Sequence, residues 1–240
     1  TTLFRSNYTN PSNDAVSIIS SSNLGIDVEV HNATGWGLLL ENSGCINLAA
    51  TLYACESGGV CLRQCTMVKT GVDAVDMLLG VFLDSSRCCV LNAVMTNCST
   101  GIKIEGGLSN TISNLTTSNC TTGLTLNNTK ENTATMAAMG CQTAVLLETN
   151  NSFNVFDNLF ATDCTTVFKT NGPGNNSNHF TGSCADIIGN AVYLAAGSND
   201  NVVDLITRGD INGTAIILNG PNTSRNTING YIGSADVSIA

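Results

Sequence analysis

The 240-residue chain has few charged residues and no hydrophobic run of membrane-spanning length. Asp, Glu, Lys and Arg make up 11% of the sequence, against roughly 25% in average soluble domains. The longest strongly apolar run, MLLGVFL at residues 77–83, falls far short of the roughly 20 residues that cross a bilayer. The nine Lys and Arg are scattered and the net charge is −9. The composition therefore predicts no membrane span and no nucleic-acid partner.

The sequence also begins without an initiator Met or a basic and apolar leader, and Thr1 is its first residue. This start fits a processed, secreted protein, an engineered chain or a fragment of a longer one, and we favour processing. Ten Asn-X-Ser/Thr sequons permit N-glycosylation in such a compartment. They are Asn7, Asn32, Asn97, Asn114, Asn119, Asn127, Asn150, Asn175, Asn212 and Asn222. We therefore expect an extracellular glycoprotein, and an apolar content of 42% predicts that it folds around a large core.

A short phrase recurs along the whole chain, as in TNCSTGIKIEG at 96–106 and SNCTTGLTLNN at 118–128. A small residue opens the apolar part of each phrase, and successive openers are 21 to 24 residues apart. The openers are Ala15, Gly37, Gly59, Gly80, Gly101, Gly123, Ala144, Val167, Ala191 and Ala215. The residues one and three positions after each opener are apolar, with Thr170 the one break. This alternation predicts one short strand with a constant buried face in every repeat.

A second, less regular apolar column predicts another strand in each repeat. It runs through Ile46, Met67, Val90, Ile112, Ala134, Val155, Phe180, Val203 and Ile228. Strands repeated at this period predict a solenoid whose coils bury their inner faces only by stacking. The varied coil length favours an all-β, single-domain, right-handed parallel β-helix of about ten coils of 21–24 residues. A leucine-rich repeat has a similar period, but Thr, Asn and Ser occupy the segments that would need a helix.

Cysteines recur at nearly one place in successive coils and predict an inward-facing column. Its members are Cys55, Cys98, Cys120, Cys141, Cys164 and, close to register, Cys184. Packing as small apolar side chains explains such a column. Cys88 with Cys89, and Cys45 with Cys65, are the better candidates for disulfides. The cysteine spacings match coil length rather than C-x-x-C, and His31 and His179 lie in different coils, so we predict no metal site and no cofactor.

Two outward columns offer the strongest candidates for function. Four residues after the opener, Asp84 and Glu105 fall one coil apart, a separation compatible with paired carboxylates at a glycosidic bond. The alternative is a solvated turn in which Arg63 separates Glu41 from Asp84. Two residues after the opener, half of the side chains are large and apolar. Leu39, Phe82, Leu146, Tyr193 and Ile217 predict an outward apolar stripe for a lateral protein contact.

The columns G-Φ-x-Φ, N-x-Φ and C-x-T, where Φ is an apolar residue, resemble the right-handed β-helix superfamily of pectate lyases, polygalacturonases and phage tailspikes. The resemblance covers nearly the whole chain and is architectural. It implies either a calcium-dependent site or an Asp triad with N-T-D, D-D and R-I-K signatures, and none of these signatures stands in this sequence. The sequence therefore favours a non-enzymatic protein, since many functions share this fold.

The ends of the sequence suggest how the rod assembles. Residues 1–14 predict an incomplete N-terminal coil, 15–236 the ten-coil β-helix, and 237–240 the start of an incomplete terminal coil. Two partial coils that complete each other between subunits would give a head-to-tail filament, although a fragment of a longer β-helix would show the same ends. The leading interpretation is a self-assembling structural subunit of an extracellular fibre. The alternative is a tailspike-like β-helix that binds or degrades polysaccharide, and ice binding is a third reading.

Overall fold

The computed structural model describes residues 2–231 and 237–239, with side chains from residue 5 to residue 231. It contains two parallel sheets of eleven strands each, and successive strands of the chain alternate between them. The first sheet comprises β1 (Thr2–Thr9), β3 (Leu24–His31), β5 (Asn47–Tyr53), β7 (Lys69–Val75), β9 (Val90–Thr96), β11 (Thr111–Ser118), β13 (Thr133–Met139), β15 (Val155–Thr162), β17 (His179–Ile187), β19 (Val202–Ile211) and β21 (Thr227–Tyr231). The second comprises β2 (Val16–Ile19), β4 (Trp36–Glu41), β6 (Gly58–Arg63), β8 (Leu79–Asp84), β10 (Thr100–Glu105), β12 (Thr122–Asn127), β14 (Thr143–Leu147), β16 (Thr166–Thr170), β18 (Asn190–Leu194), β20 (Ile216–Leu218) and β22 (Val237–Ile239).

These sheets confirm the predicted all-β solenoid of about ten coils, and the described residues contain no helix. A third side of each coil is held by isolated parallel bridges, such as Gly44 with Thr66 and Thr66 with Arg87. β1 and β22 lie within the segments predicted as partial coils and pair with β3 and β20. The predicted division of the chain into complete and partial coils stays a prediction.

The first apolar column lies where the alternation predicts. Val60, Val81 and Ile102 pair in register on neighbouring strands of the second sheet and are fully buried. Thr170 breaks the column without an unsatisfied hydroxyl, because its Oγ1 lies 2.8 Å from Ser198 Oγ and accepts a hydrogen bond from the Ala195 backbone. Glycine opens many of the strands because the coils approach closely here: a Cβ at Gly59 would collide with the carbonyl oxygen of Gly80.

The second apolar column was predicted in the wrong register in several coils. Met67 is 57% exposed and Val68 is buried in its place. The inward row of the first sheet runs through Leu48, Thr70 and Leu91. Strand alternation alone cannot fix this register, because the corner before each strand varies in sequence and length.

A row of buried asparagines stabilises the corner before the first-sheet strands. This asparagine ladder consists of Asn110, Asn132, Asn154, Asn178, Asn201 and, half-buried at its end, Asn226. From Asn132 onward, each side-chain oxygen accepts hydrogen bonds from the backbone and side-chain nitrogens of the asparagine in the preceding coil. The Asn110 oxygen accepts from the backbone nitrogen of Cys89. The ladder thus satisfies corner amides that no strand pairing reaches.

Candidate functional site

A groove crosses the outer face of the first sheet from β3 to β11. Its floor is one row of residues paired in register: Asp27, Ala49, Gly71, Asn92 and Asn114. The floor is low at its centre because Ala49 and Gly71 have little or no side chain, and a Cβ placed on Gly71 would meet no atom within 4 Å. The row spans four coil steps, or about 19 Å along the axis of the solenoid. The groove is therefore long, shallow and open to solvent.

The groove consists of two adjoining depressions whose accessible surface is mostly apolar, with polar side chains along the sides. The first has a volume of about 550 Å³ and includes Asn47 and Lys69. The second has a volume of about 390 Å³, includes Thr51 and Asp73, and shares Ala49, Gly71 and Asn92 with the first. Amide, ammonium, hydroxyl and carboxylate groups thus line the two sides of an uncharged centre.

Lys69 and Asp73 lie on the same strand, on either side of Gly71. Both are exposed, and neither forms an ion pair among the side chains that the structure describes. Strand alternation explains their position, because residues 69, 71 and 73 of β7 all point outward while Thr70 and Val72 are buried. A charged donor and a charged acceptor are therefore available to a ligand in the groove.

An aromatic pair lies beside the groove on the same face. His31 and Tyr53 end the neighbouring strands β3 and β5, and their rings stack with centroids 4.7 Å apart. Glu29 Oε1 lies 2.9 Å from His31 Nε2 and fixes the imidazole orientation. Tyr53 is two residues beyond Thr51, roughly 7 Å along the strand, so this pair extends the surface available next to the groove.

Sequence analysis did not identify the groove. Its residues depend on the register of the first-sheet strands, which the irregular second column did not resolve. The one available signal was Gly71 inside a strand pattern, since an interior glycine marks a site where another molecule or backbone can approach closely.

Asp84 and Glu105 occupy neighbouring coils, as the repeat spacing predicts, but they lie outside the groove. They pair in register at the ends of β8 and β10 in the second sheet. Arg63 Nε lies 3.2 Å from Asp84 Oδ2, and Lys103 Nζ lies 3.0 Å from Glu105 Oε2. Arg63 also lies 4.0 Å from Glu41. The carboxylates are thus held in separate ion pairs, and the solvated turn described for Arg63 is the arrangement found.

The outward apolar stripe is interrupted rather than continuous. Leu39, Phe82, Leu146, Tyr193 and Ile217 are each half-buried on the outer face of the second sheet. The Nζ atoms of Lys103 and Lys169 lie 5.9 Å and 5.8 Å from the ring centroids of Phe82 and Tyr193. Trp36 lies over Gly58 and reaches Phe82, with ring centroids 6.2 Å apart. A lateral protein contact through this face stays a prediction.

The cysteine column is buried, with one correction. Cys55, Cys98, Cys120, Cys141 and Cys164 are each at most 2% exposed. Cys184 is buried but lies within β17 opposite Ala161. In the next coil the corner position of Cys164 is occupied by Ile187. The Ile188 N–H donates to the Cys164 carbonyl oxygen, and the Asn212 N–H donates to the Ile187 carbonyl oxygen. Cys184 therefore lies before this corner position and out of register with the column.

The thiols of the column donate to backbone carbonyl oxygens inside the coil. Cys98 Sγ lies 3.6 Å from the Thr96 carbonyl oxygen, and Cys120 Sγ lies 3.6 Å from that of Ser118. Burial raises the pKa of Cys55, because the thiolate would be poorly solvated inside the coil. The column is closed to solvent, so it provides packing and internal hydrogen bonds rather than a reactive site.

The suggested disulfides are absent, and all eleven cysteines are free thiols. Cys45 and Cys88 are exposed at corners, whereas Cys65 and Cys89 are buried. Neighbouring residues of a corner point to opposite sides of the chain, which explains why Cys88 and Cys89 do not bond. The Cys65 thiol lies 3.3 Å from the Leu40 carbonyl oxygen, inside the coil and away from Cys45.

Nine of the ten sequon asparagines are at least partly exposed. Asn175 is fully buried, donates to the Glu148 carbonyl oxygen at 2.7 Å and accepts from Asn151 at 2.8 Å. A glycan at Asn175 would require the coil to open, so this residue is removed from the candidates. Glycosylation of the other nine stays a prediction.

This stack of parallel coils, with its buried asparagine ladder and cysteine column, is a right-handed parallel β-helix. Residues 2–197 match the model of the family described as periplasmic copper-binding protein (NosD). The chain therefore belongs to the NosD family, which bears out the β-helix resemblance. Searches of curated proteins and of solved structures found no significant match.

The family description names copper, which would need a group of metal-binding side chains close together. Among residues 5–231, no three His, Cys, Asp or Glu side chains lie close enough together to hold a metal ion. His31 contacts Glu29, and His179 Nε2 lies 3.1 Å from Asp204 Oδ2. The thiol column is inaccessible to solvent. Within the part of the chain that the structure describes, these donor types alone do not form a copper site.

Proposed function

We propose that the chain is a non-catalytic, polysaccharide-binding β-helix that holds a linear glycan in the groove on its first sheet. The observation behind the proposal is the unobstructed row from Asp27 to Asn114, flanked by paired donors and acceptors. Sugar hydroxyls both donate and accept hydrogen bonds, and a repeated polymer suits a binding surface built from repeated coils. The small share of charged residues favours a neutral glycan, and the net charge of −9 disfavours an anionic one.

Binding rather than hydrolysis is supported by where the carboxylates lie. A glycosidase needs an acid and a second carboxylate on opposite sides of the scissile bond. Asp84 and Glu105 are on the second sheet and are held by Arg63 and Lys103. In the groove, the Asp27 carboxylate lies 3.4 Å from Arg5 Nε. Asp73 is on β7, two coil steps from Asp27 on β3, so the two carboxylates are separated by about 10 Å along the axis of the solenoid.

Filling the groove tests this proposal. In Gly71→Phe a ring rises from the centre of the floor, and the open space above Gly71 accommodates it without displacing the core. Electrophoresis through native gels containing a panel of polysaccharides should show retardation of the wild type by at least one glycan. Gly71→Phe should abolish that retardation. Ala185→Phe, on the same sheet but outside the groove, is the matched control and should be retarded as the wild type is.

The contrary results are equally clear. If no polysaccharide retards the wild type, or if Gly71→Phe is retarded as strongly as Ala185→Phe, the groove is not a glycan site. Circular dichroism and unfolding curves of both variants establish that each remains folded.

Self-assembly into an extracellular fibre stays a prediction. The periplasmic description of the family is compatible with a location outside the cytoplasm. None of the described residues belongs to a helix with the length and hydrophobicity needed to cross a membrane. Negative-stain electron microscopy over a concentration series tests assembly: uniform fibres support it, and discrete particles at every concentration contradict it.

A further inference from the structure

Three sulfur-containing residues stack on one exposed corner of the solenoid. The parallel bridges Gly44 to Thr66 and Thr66 to Arg87 place the following residues, Cys45, Met67 and Cys88, in three successive coils. All three are exposed, and Met67 is 57% exposed. We call these residues the surface sulfur column. It lies beside the groove, two residues before Asn47, Lys69 and Val90, and shares no residue with the groove or with the buried cysteine column.

The three residues share one backbone conformation, so their side chains leave the corner in the same direction. Their φ angles are 53°, 53° and 55°. This left-handed conformation favours Gly, Asn and Asp and costs other residues about 1 kcal/mol or more. The same left-handed corner position holds Asn23, Ser109, Glu131, Phe153, Ser177 and Asp200 in other coils. Within the described coils, sulfur-containing residues occupy it only in these three successive ones, which stacks three soft donors on one exposed corner.

The spacing of the coils suits a two-coordinate soft metal ion. Thiolate and thioether ligands select Cu(I) among the biological metals. Corresponding positions of neighbouring coils are about 4.8 Å apart, so side chains that leave the corner in the same direction from neighbouring coils can both reach one ion. Cys45 and Cys88 are two coils, or about 10 Å, apart. Met67 is therefore the ligand common to either neighbouring pair.

We propose that the surface sulfur column is a Cu(I) site in which the Met67 thioether and the thiolate of Cys45 or Cys88 hold one ion between neighbouring coils. Binding replaces the thiol proton of the cysteine, which is released to solvent, and involves no change of oxidation state. The copper of the family description agrees with this assignment, but the donor set and its register are the basis of it. The site is independent of the polysaccharide proposal.

Anaerobic titration with Cu(I) against a chromophoric chelator tests the site. The wild type should retain one equivalent against the chelator, and Met67→Leu should weaken that binding at least tenfold. Cys45→Ser and Cys88→Ser should each weaken it only about twofold, because one Met–Cys pair remains, while the double variant should lose it. Met139→Leu, which removes another exposed methionine, is the control and should bind as the wild type does.

Alkylation followed by mass spectrometry gives a second readout. One equivalent of Cu(I) should slow alkylation of Cys45 and Cys88 in the wild type and have no such effect in Met67→Leu. The proposal is overturned if the wild type retains no copper, if Met67→Leu binds with wild-type affinity, or if the double cysteine variant still binds.

Discussion

Removing one member of the asparagine ladder should cost more stability than any exposed substitution. Asn154 is fully buried, and its Oδ1 accepts from the backbone nitrogen of Asn132 at 3.0 Å and from Asn132 Nδ2 at 2.9 Å. Its Nδ2 donates to Asn178 Oδ1 at 3.0 Å. Asn154→Ala leaves both donors of Asn132 without that acceptor inside the corner. Each unsatisfied buried group costs about 1–3 kcal/mol, so we expect a loss of about 2–6 kcal/mol.

Urea unfolding followed by circular dichroism measures this loss. Asn171 is exposed and provides the matched control, because an Asn→Ala change there should alter the free energy of unfolding by no more than about 0.5 kcal/mol. If Asn154→Ala proves as stable as Asn171→Ala, the ladder does not stabilise the corner. A reduced denaturant slope in the Asn154 variant would indicate that the coils on its two sides unfold separately, as stacked repeats can.

Three further results are expected. Thr70→Val should raise the free energy of unfolding by about 1 kcal/mol, because Thr70 Oγ1 is buried without a hydrogen-bond partner among the described residues. An unchanged or lowered free energy of unfolding would contradict this. Burial raises the pKa of Cys61 to about 12 and of Cys89 to about 11, so the unfolded chain loses these protons first, from pH 9 upward. These thiols should leave the free energy of unfolding unchanged below pH 9. Above pH 9 they should lower it by about 1.4 kcal/mol per pH unit for each thiol. Unfolding curves that do not change between pH 9 and 11 would refute this. Alkylation of the native, metal-free protein should modify Cys45 and Cys88 rapidly and the nine buried cysteines only after unfolding, whereas rapid labelling of all eleven would contradict the closed column.

The fold was predictable because one strand of each coil has a strict pattern. A small opener followed by two alternating apolar residues recurs with a nearly constant period, and each coil can bury that face only against its neighbours. Pairing such as Val60 with Val81 follows directly from the period. The other strand was harder to place, since the preceding corner contains left-handed residues such as Met67 that interrupt the alternation.

The sites were less predictable than the fold because they depend on that harder strand and on the corners. Gly71 becomes the floor of a groove only when Ala49 and Asn92 stack beside it in register. Cys45 and Cys88 were considered as disulfide partners of buried cysteines, and their alignment with Met67 emerges only from the bridges between corners. The pairing of acidic residues at Asp84 was visible from the coil spacing, but the spacing alone did not show which cation each carboxylate meets.

A crystal structure of the protein with an oligosaccharide that retards it in gels would test the central claim most directly. The account predicts a sugar chain along the first sheet, crossing Ala49 and Gly71, with hydroxyls bonded to Lys69 and Asp73. A sugar bound instead at Trp36 and Phe82 on the second sheet, or beside Asp84 and Glu105, would contradict it.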